Sequence, residues 1–137
     1  MSQGAAPQEG APFAGGCLCG RVRFEAGGSP ETPHWCHCGM CRKATGAPAA
    51  AFANFPVATF RVTAGEPATF PSSPGIRRGF CRDCGGSLFT VEDGASLISV
   101  LIGSLDAPDR IAPAYHIHDV DRVSWLAIAD GLPRRAR

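Results

Sequence analysis

At 137 residues, with 45% apolar and 18% charged side chains, the chain is long enough to bury the core of one globular domain and too apolar to be disordered. Its net charge of +1 gives no electrostatic pull toward nucleic acid or an anionic membrane, and no stretch approaches the ~20 apolar residues of a membrane helix. Seventeen glycines and 12 prolines point to many short elements joined by turns.

Residues 1–13, rich in Gly, Ala, Pro and Gln, read as a mobile leader, leaving a single domain over 14–137. No basic segment followed by an apolar run begins the chain, so a cytoplasmic protein with reduced thiols is expected. Cys17 to Ala26 sets Val22, Phe24 and Ala26 against Arg21, Arg23 and Glu25, the period-two pattern of a half-buried strand. Residues 27–33 read as a turn. Arg42 to Thr45 suits a turn of helix that stops at Gly46. Strands are predicted over 47–54 and 57–63, divided by Pro56, with a short one over 68–70. Residues 71–75 form a loop, and 76–80 and 87–91 a hairpin. Further strands are predicted over 96–102, 115–118 and 123–129. No segment of ten or more residues carries helical periodicity, so the fold class is mainly β with antiparallel sheets. The tail Pro133-Arg134-Arg135-Ala136-Arg137 reads as a solvated terminus.

The seven cysteines carry the chemistry. Seven is odd, which a complete disulfide framework cannot use, so metal binding is favoured. Cys17 and Cys19 project to one side if their segment is extended. Cys81 and Cys84 have the CxxC spacing of a zinc knuckle, followed by Gly85 and Gly86 at the turn. Together the two pairs make a closed, structural four-thiolate zinc site. Cys36, Cys38 and Cys41 remain, three ligands for a second zinc with a position left open, the mark of a catalytic site. Another partition draws Cys17 or Cys19 into the central cluster and strands other cysteines.

Zinc held by three thiolates is electron-rich. It is a poor source of hydroxide and a good holder of an incoming thiolate. The expected reaction is therefore thiol transfer, or thiol addition to an electrophile. Arg42, Lys43, Arg77 and Arg78 lie close enough in sequence to balance the negative charge or to hold a carboxylate-bearing thiol, although each is as readily a solvated surface charge. His37, between two ligands, points away from the metal in an extended segment. His34 is a candidate partner to a ligand, and His116 and His118 share one face of a strand, where a structural role is expected. No paired carboxylates, phosphate loop or Ser-His-Asp arrangement stands out.

Gly16-Cys17-Leu18-Cys19-Gly20, the run from Cys36 to Gly46 (CHCGMCRKATG), Phe80-Cys81-Arg82-Asp83-Cys84-Gly85, Gly103-Ser104-Leu105-Asp106 and Asp130-Gly131-Leu132-Pro133 resemble the glutathione-dependent formaldehyde-activating enzyme family, over about Gly15 to Pro133. The resemblance implies a β-tent fold, shared with centromere protein V and a small zinc-binding guanine-nucleotide release factor. It implies two zinc ions per chain: a structural one on Cys17, Cys19, Cys81 and Cys84, and a catalytic one on Cys36, Cys38 and Cys41. The implied activity is addition of glutathione to formaldehyde, giving S-hydroxymethylglutathione, a carbon–sulfur lyase in the reverse sense. The glutathione-acting members are longer, with segments this chain lacks. The expected partners are a small thiol and an aldehyde or related electrophile, not nucleic acid or membrane. The rival expectation is a non-catalytic, zinc-stabilised module that binds a protein partner. Access to the ion at Cys36, Cys38 and Cys41 separates the two.

Overall fold

The structure, a computed structural model, describes residues 11–137; most of the expected leader lies outside them. Phe13 does not belong to that leader. It opens β1 (Phe13–Gly16) and is buried, with the Arg110 guanidinium 3.7 Å above its ring. β1 pairs antiparallel with β2 (Arg23–Ala26), and β2 with β5 (Phe60–Ala64), forming a three-stranded sheet. The second sheet has seven strands. It contains β3 (Glu31–Cys36), β4 (Ala50–Pro56), β6 (Ala68–Ser73), β7 (Ile76–Phe80), β8 (Ser87–Glu92), β9 (Leu97–Leu101) and β10 (Tyr115–Ile117), in the order β10-β3-β4-β9-β8-β7-β6. Every pairing is antiparallel except β3 with β10. The mainly β architecture expected from the short, turn-punctuated strands is found. The one α-helix among the described residues, α1 (Gly39–Thr45), ends at Gly46, whose φ of 75° provides the left-handed stop read from the sequence.

Several boundaries differ from the sequence reading. Cys17 to Val22 is not strand: Gly20, at φ 79°, turns the chain back so that its N–H reaches the Cys17 carbonyl at 3.2 Å. A 3-10 turn (Val57–Thr59) precedes β5, and β3 starts inside the expected turn over 27–33. Residues 123–129 form no strand because the free edge of β10 is already taken. Pro133 and Arg135 hydrogen-bond to both sides of His116, and Arg134 pairs with Asp119 at 2.8 Å. The basic tail is exposed, as expected, but residues 133–135 are also hydrogen-bonded along the β10 edge.

The core fills the space between the sheets. Phe13 and Phe24 on the smaller sheet meet Phe55, Leu88, Phe89, Ile98 and Val100 on the larger one. Ring pairs tie the layers: Phe13 to Phe55 at 5.3 Å and Phe60 to Phe89 at 5.5 Å between centroids. Each fully buried Phe contributes about 1.5–3 kcal/mol by removal from water. Gly79 on β7 lies beneath the Phe89 ring, and a Cβ there would overlap it. Gly79→Ala is therefore expected to destabilise by about 1–3 kcal/mol through overpacking. Urea unfolding would read this as a lower midpoint at constant m; an unchanged midpoint would mean that the ring slides aside without cost.

Candidate metal centres

The first cluster joins the two sheets. Cys17 and Cys19 sit on the turn between β1 and β2, and Cys81 and Cys84 on the turn that leaves β7. Their four sulfurs lie within 4.8 Å of one another. Cys17 Sγ is 3.6 Å from Cys19 Sγ, which is 3.8 Å from Cys81 Sγ. Two sulfurs on a tetrahedral zinc with bonds near 2.3 Å are about 3.8 Å apart. A disulfide would bring them to about 2.05 Å. The spacing fits an ion and excludes a bond. Amide groups complete the setting: Val22 N–H donates to Cys17 Sγ at 3.3 Å, and Asp83 N–H to Cys81 Sγ at 3.4 Å. Backbone amides of Cys19 and Gly86 lower the Cys84 thiol to about 6. Gly86 has no side chain to separate the turns; a Cβ would stand 3.3 Å from Cys17 Cβ.

The second cluster lies at the far end of β3. Cys36 ends that strand, Cys38 is the N-cap of α1 and Cys41 lies in its first turn, which converges three sulfurs within 4.8 Å. Cys36 and Cys38 Sγ are 3.4 Å apart, and Cys38 Sγ accepts the Cys41 N–H at 3.3 Å. Among the described residues no fourth His, Cys, Asp or Glu ligand atom joins them within that radius. Cys36 and Cys41 are buried and Cys38 half-buried, packed with Ala50, Phe52, Leu101 and Ile117. The Cys36 hydrogen bond and, against the opposing effect of burial, Arg78 pull the Cys41 thiol down to about 5, while Cys41 and burial push the Cys36 thiol up. Three thiolates this close repel one another in a buried setting, and a divalent cation removes that repulsion. The donor set therefore suits a soft or borderline ion such as zinc.

Of the four nearby cations read from the sequence, only Arg78 reaches a cysteine, donating from Nη2 to Cys41 Sγ at 3.6 Å. Arg77 turns out to Asp93, Arg42 reaches the carbonyls of His37 and Asp121, and Lys43 is exposed. The signal for Arg78 was present: two adjacent arginines on a strand face opposite sides, so one faces inward.

The histidines form a separate chain. Alternation along β3 puts His34 and Cys36 on one side, and Trp35 and then His37 on the other. His34 Nδ1–H donates to the Thr32 carbonyl (2.7 Å), and the ring stacks between Phe52 and Tyr115. His37, pointing away from the sulfurs as expected, meets His116 instead: Nε2 to Nδ1 is 2.8 Å, and His116 Nε2 meets Asp130 at 2.9 Å. His118 stands apart from its expected partner, outside β10 at φ 51°. His37, His116 and Asp119 offer ligand atoms within 4.8 Å. Yet the two rings lie nearly parallel, 19° apart, with centroids at 5.1 Å, and their facing nitrogens aim at each other across 2.8 Å. Asp119 already holds Arg134 and Arg122. This is a hydrogen-bonded structural chain, and it leaves buried His37 Nδ1 without a partner among the described residues.

The model of the family described as glutathione-dependent formaldehyde-activating enzyme matches residues 12–121, a span holding both cysteine clusters. The chain belongs to this family. A crystal structure of a Rhodobacter sphaeroides protein is similar in fold, with a TM-score of 0.57 at 18% identity, covering 89% of this chain and 98% of that one. No curated protein matches. The family is associated with glutathione-dependent formaldehyde activation, and its span ends before Asp130, the carboxylate of the histidine chain. No helix among the described residues is long and apolar enough to cross a membrane.

Proposed function

We propose that this member is a zinc-dependent enzyme of the carbon–sulfur lyase type, which adds a small glutathione-like thiol to formaldehyde or a related small electrophile, or reverses that addition. The observation that carries this reading is the contrast in ligand number: four converging sulfurs in one cluster and three in the other. Zinc at Cys36, Cys38 and Cys41 would supply a soft position that keeps an incoming thiol deprotonated near neutral pH. In the addition, the thiol sulfur forms a bond to the carbonyl carbon, the C=O π pair moves to oxygen, and a proton from solvent neutralises the alkoxide. Cys36 and Cys41 hold the ligand geometry from buried positions, Cys38 offers the more open side, and α1 fixes the spacing of Cys38 and Cys41. The closed cluster of Cys17, Cys19, Cys81 and Cys84 would hold the second zinc and tie the sheets.

One observation favours the rival module reading. A cleft of about 540 Å³ opens beside Cys81, Arg21 and Arg82 at the four-cysteine cluster, whereas the cavity lined by Arg78 near the three-cysteine cluster is about 20 Å³, room for one water. Cobalt substitution separates the readings, since its visible spectrum reports sulfur coordination. Glutathione or 2-mercaptoethanol is expected to shift the spectrum of one cobalt and leave the other unchanged. If neither thiol perturbs either ion, the binding-module reading replaces the enzyme.

A further inference from the structure

Arg78 is a buried cation in search of a counter-charge. It is 8% exposed, on β7 of the larger sheet. Its Nη1 donates to Thr90 Oγ1 at 3.4 Å and its Nη2 to Cys41 Sγ at 3.6 Å, while Nε finds no partner among the described residues. Among the described residues no carboxylate lies within ion-pairing distance of it. Leaving a guanidinium in such a place is costly unless an opposite charge is beside it. The group that can carry that charge is the trio of sulfurs. A divalent ion on three thiolates has one net negative charge, and Arg78 brings the assembly to zero.

The four-cysteine cluster shows the contrast. Its Cys19 is exposed and Cys84 half-exposed, so water screens the two negative charges of a four-thiolate ion. Cys36 at 4% and Cys41 at 7% have no such screening, and a protein cation must take its place.

We propose that Arg78 is the charge-balancing residue that lets the three-cysteine centre accept a fourth thiolate. Without it, a bound thiolate raises a largely buried centre to two net negative charges. With it, the centre carries one. The hydrogen bond to Cys41 also withdraws electron density from that ligand, which compensates the ion for the donor it gains. Arg78 is thus a positioning residue acting through Cys41, and it would favour anionic sulfur over neutral water at the open position. This inference rests on the thiol-adding reading given above.

The test uses the full chain loaded with cobalt, titrated with 2-mercaptoethanol, in wild type, Arg78→Met, Arg78→Gln and Arg78→Lys. Methionine keeps volume without charge, glutamine keeps a donor without charge, and lysine keeps the charge. Cobalt affinity at the three-cysteine centre is expected to fall about 10–100-fold in the uncharged variants. Thiol affinity should fall at least tenfold beyond that, while the four-cysteine spectrum stays unchanged and lysine restores part of both. Wild-type cobalt and thiol affinities in both Arg78→Gln and Arg78→Met would overturn the assignment; if one of them does not fold, the other decides. Should wild type itself ignore the thiol, the enzyme reading fails separately, and Arg78 is judged on cobalt affinity alone: a fall supports the charge-balancing role, no change ends it.

Discussion

Cys81→Ser is expected to lose most of the protein's cooperative stability. Cys81 is fully buried in the main core and contributes the sulfur that faces Cys19 across 62 residues of sequence. The cluster it belongs to connects the turn after β1 with the turn after β7, so it holds one sheet against the other. Structural zinc sites bind with apparent energies of about 10–16 kcal/mol in small peptides, on the scale of a whole domain's stability. Here an aromatic core remains, so the loss should be smaller but still above about 4 kcal/mol, a range reached only by a few mechanisms. The Tm should fall by about 10 °C or more. A chelator should bring the wild type down to the variant's level and do little to the variant itself. A Tm within about 2 °C of wild type would show that the four sulfurs do not hold the sheets together.

The grouping of the seven cysteines into four and three was legible because it is written in short spacings. CxC and CxxC bring sulfurs together by local turn geometry, whatever the surrounding fold does. The sheet content was legible for a similar reason, since alternation and Gly/Pro punctuation are local. The expected strand over 17–26 was half wrong for an instructive reason. Its alternating residues are real, but Gly20 diverts the first half into the turn that aims Cys17 and Cys19. The proposed strand at 123–129 failed because strand formation needs a free edge, and residues 133–135 occupy it. Phe13 was hidden by its neighbours: a run of Ala, Gly and Pro reads as leader until a partner strand is known. The contact of Arg78 with Cys41 joins residues 37 positions apart, a tertiary fact no spacing encodes. The same holds for Asp130, His116 and His37, which are brought together by the parallel pairing of β3 and β10 and by the docked tail.

Cys38→Ser is expected to have the opposite profile to Cys81→Ser: a sound fold with an empty second centre. Cys38 is the N-cap of α1, with φ −65° and ψ 153°, and its side chain accepts the Cys41 N–H. Serine is among the preferred N-cap residues, and its hydroxyl can accept the same donor. Cys38 is also half-buried, so the change leaves no sealed cavity and no orphaned polar atom. Substitution at Cys36 or Cys41 would be less clean, because both are buried and Cys41 also partners Arg78. What Cys38→Ser does remove is one of only three thiolates. Metal analysis should fall from two equivalents per chain to one, with an unchanged far-UV circular dichroism spectrum. Any thiol-dependent consumption of formaldehyde should drop on the order of 100-fold or more, since loss of a ligand exceeds the 10–100-fold typical of losing a ligand's own partner. The thiol-induced shift in the cobalt spectrum should vanish with it. A variant that retains two equivalents would remove Cys38 from the ligand set. One that melts as low as Cys81→Ser would make the second cluster structural like the first, leaving no open centre for chemistry.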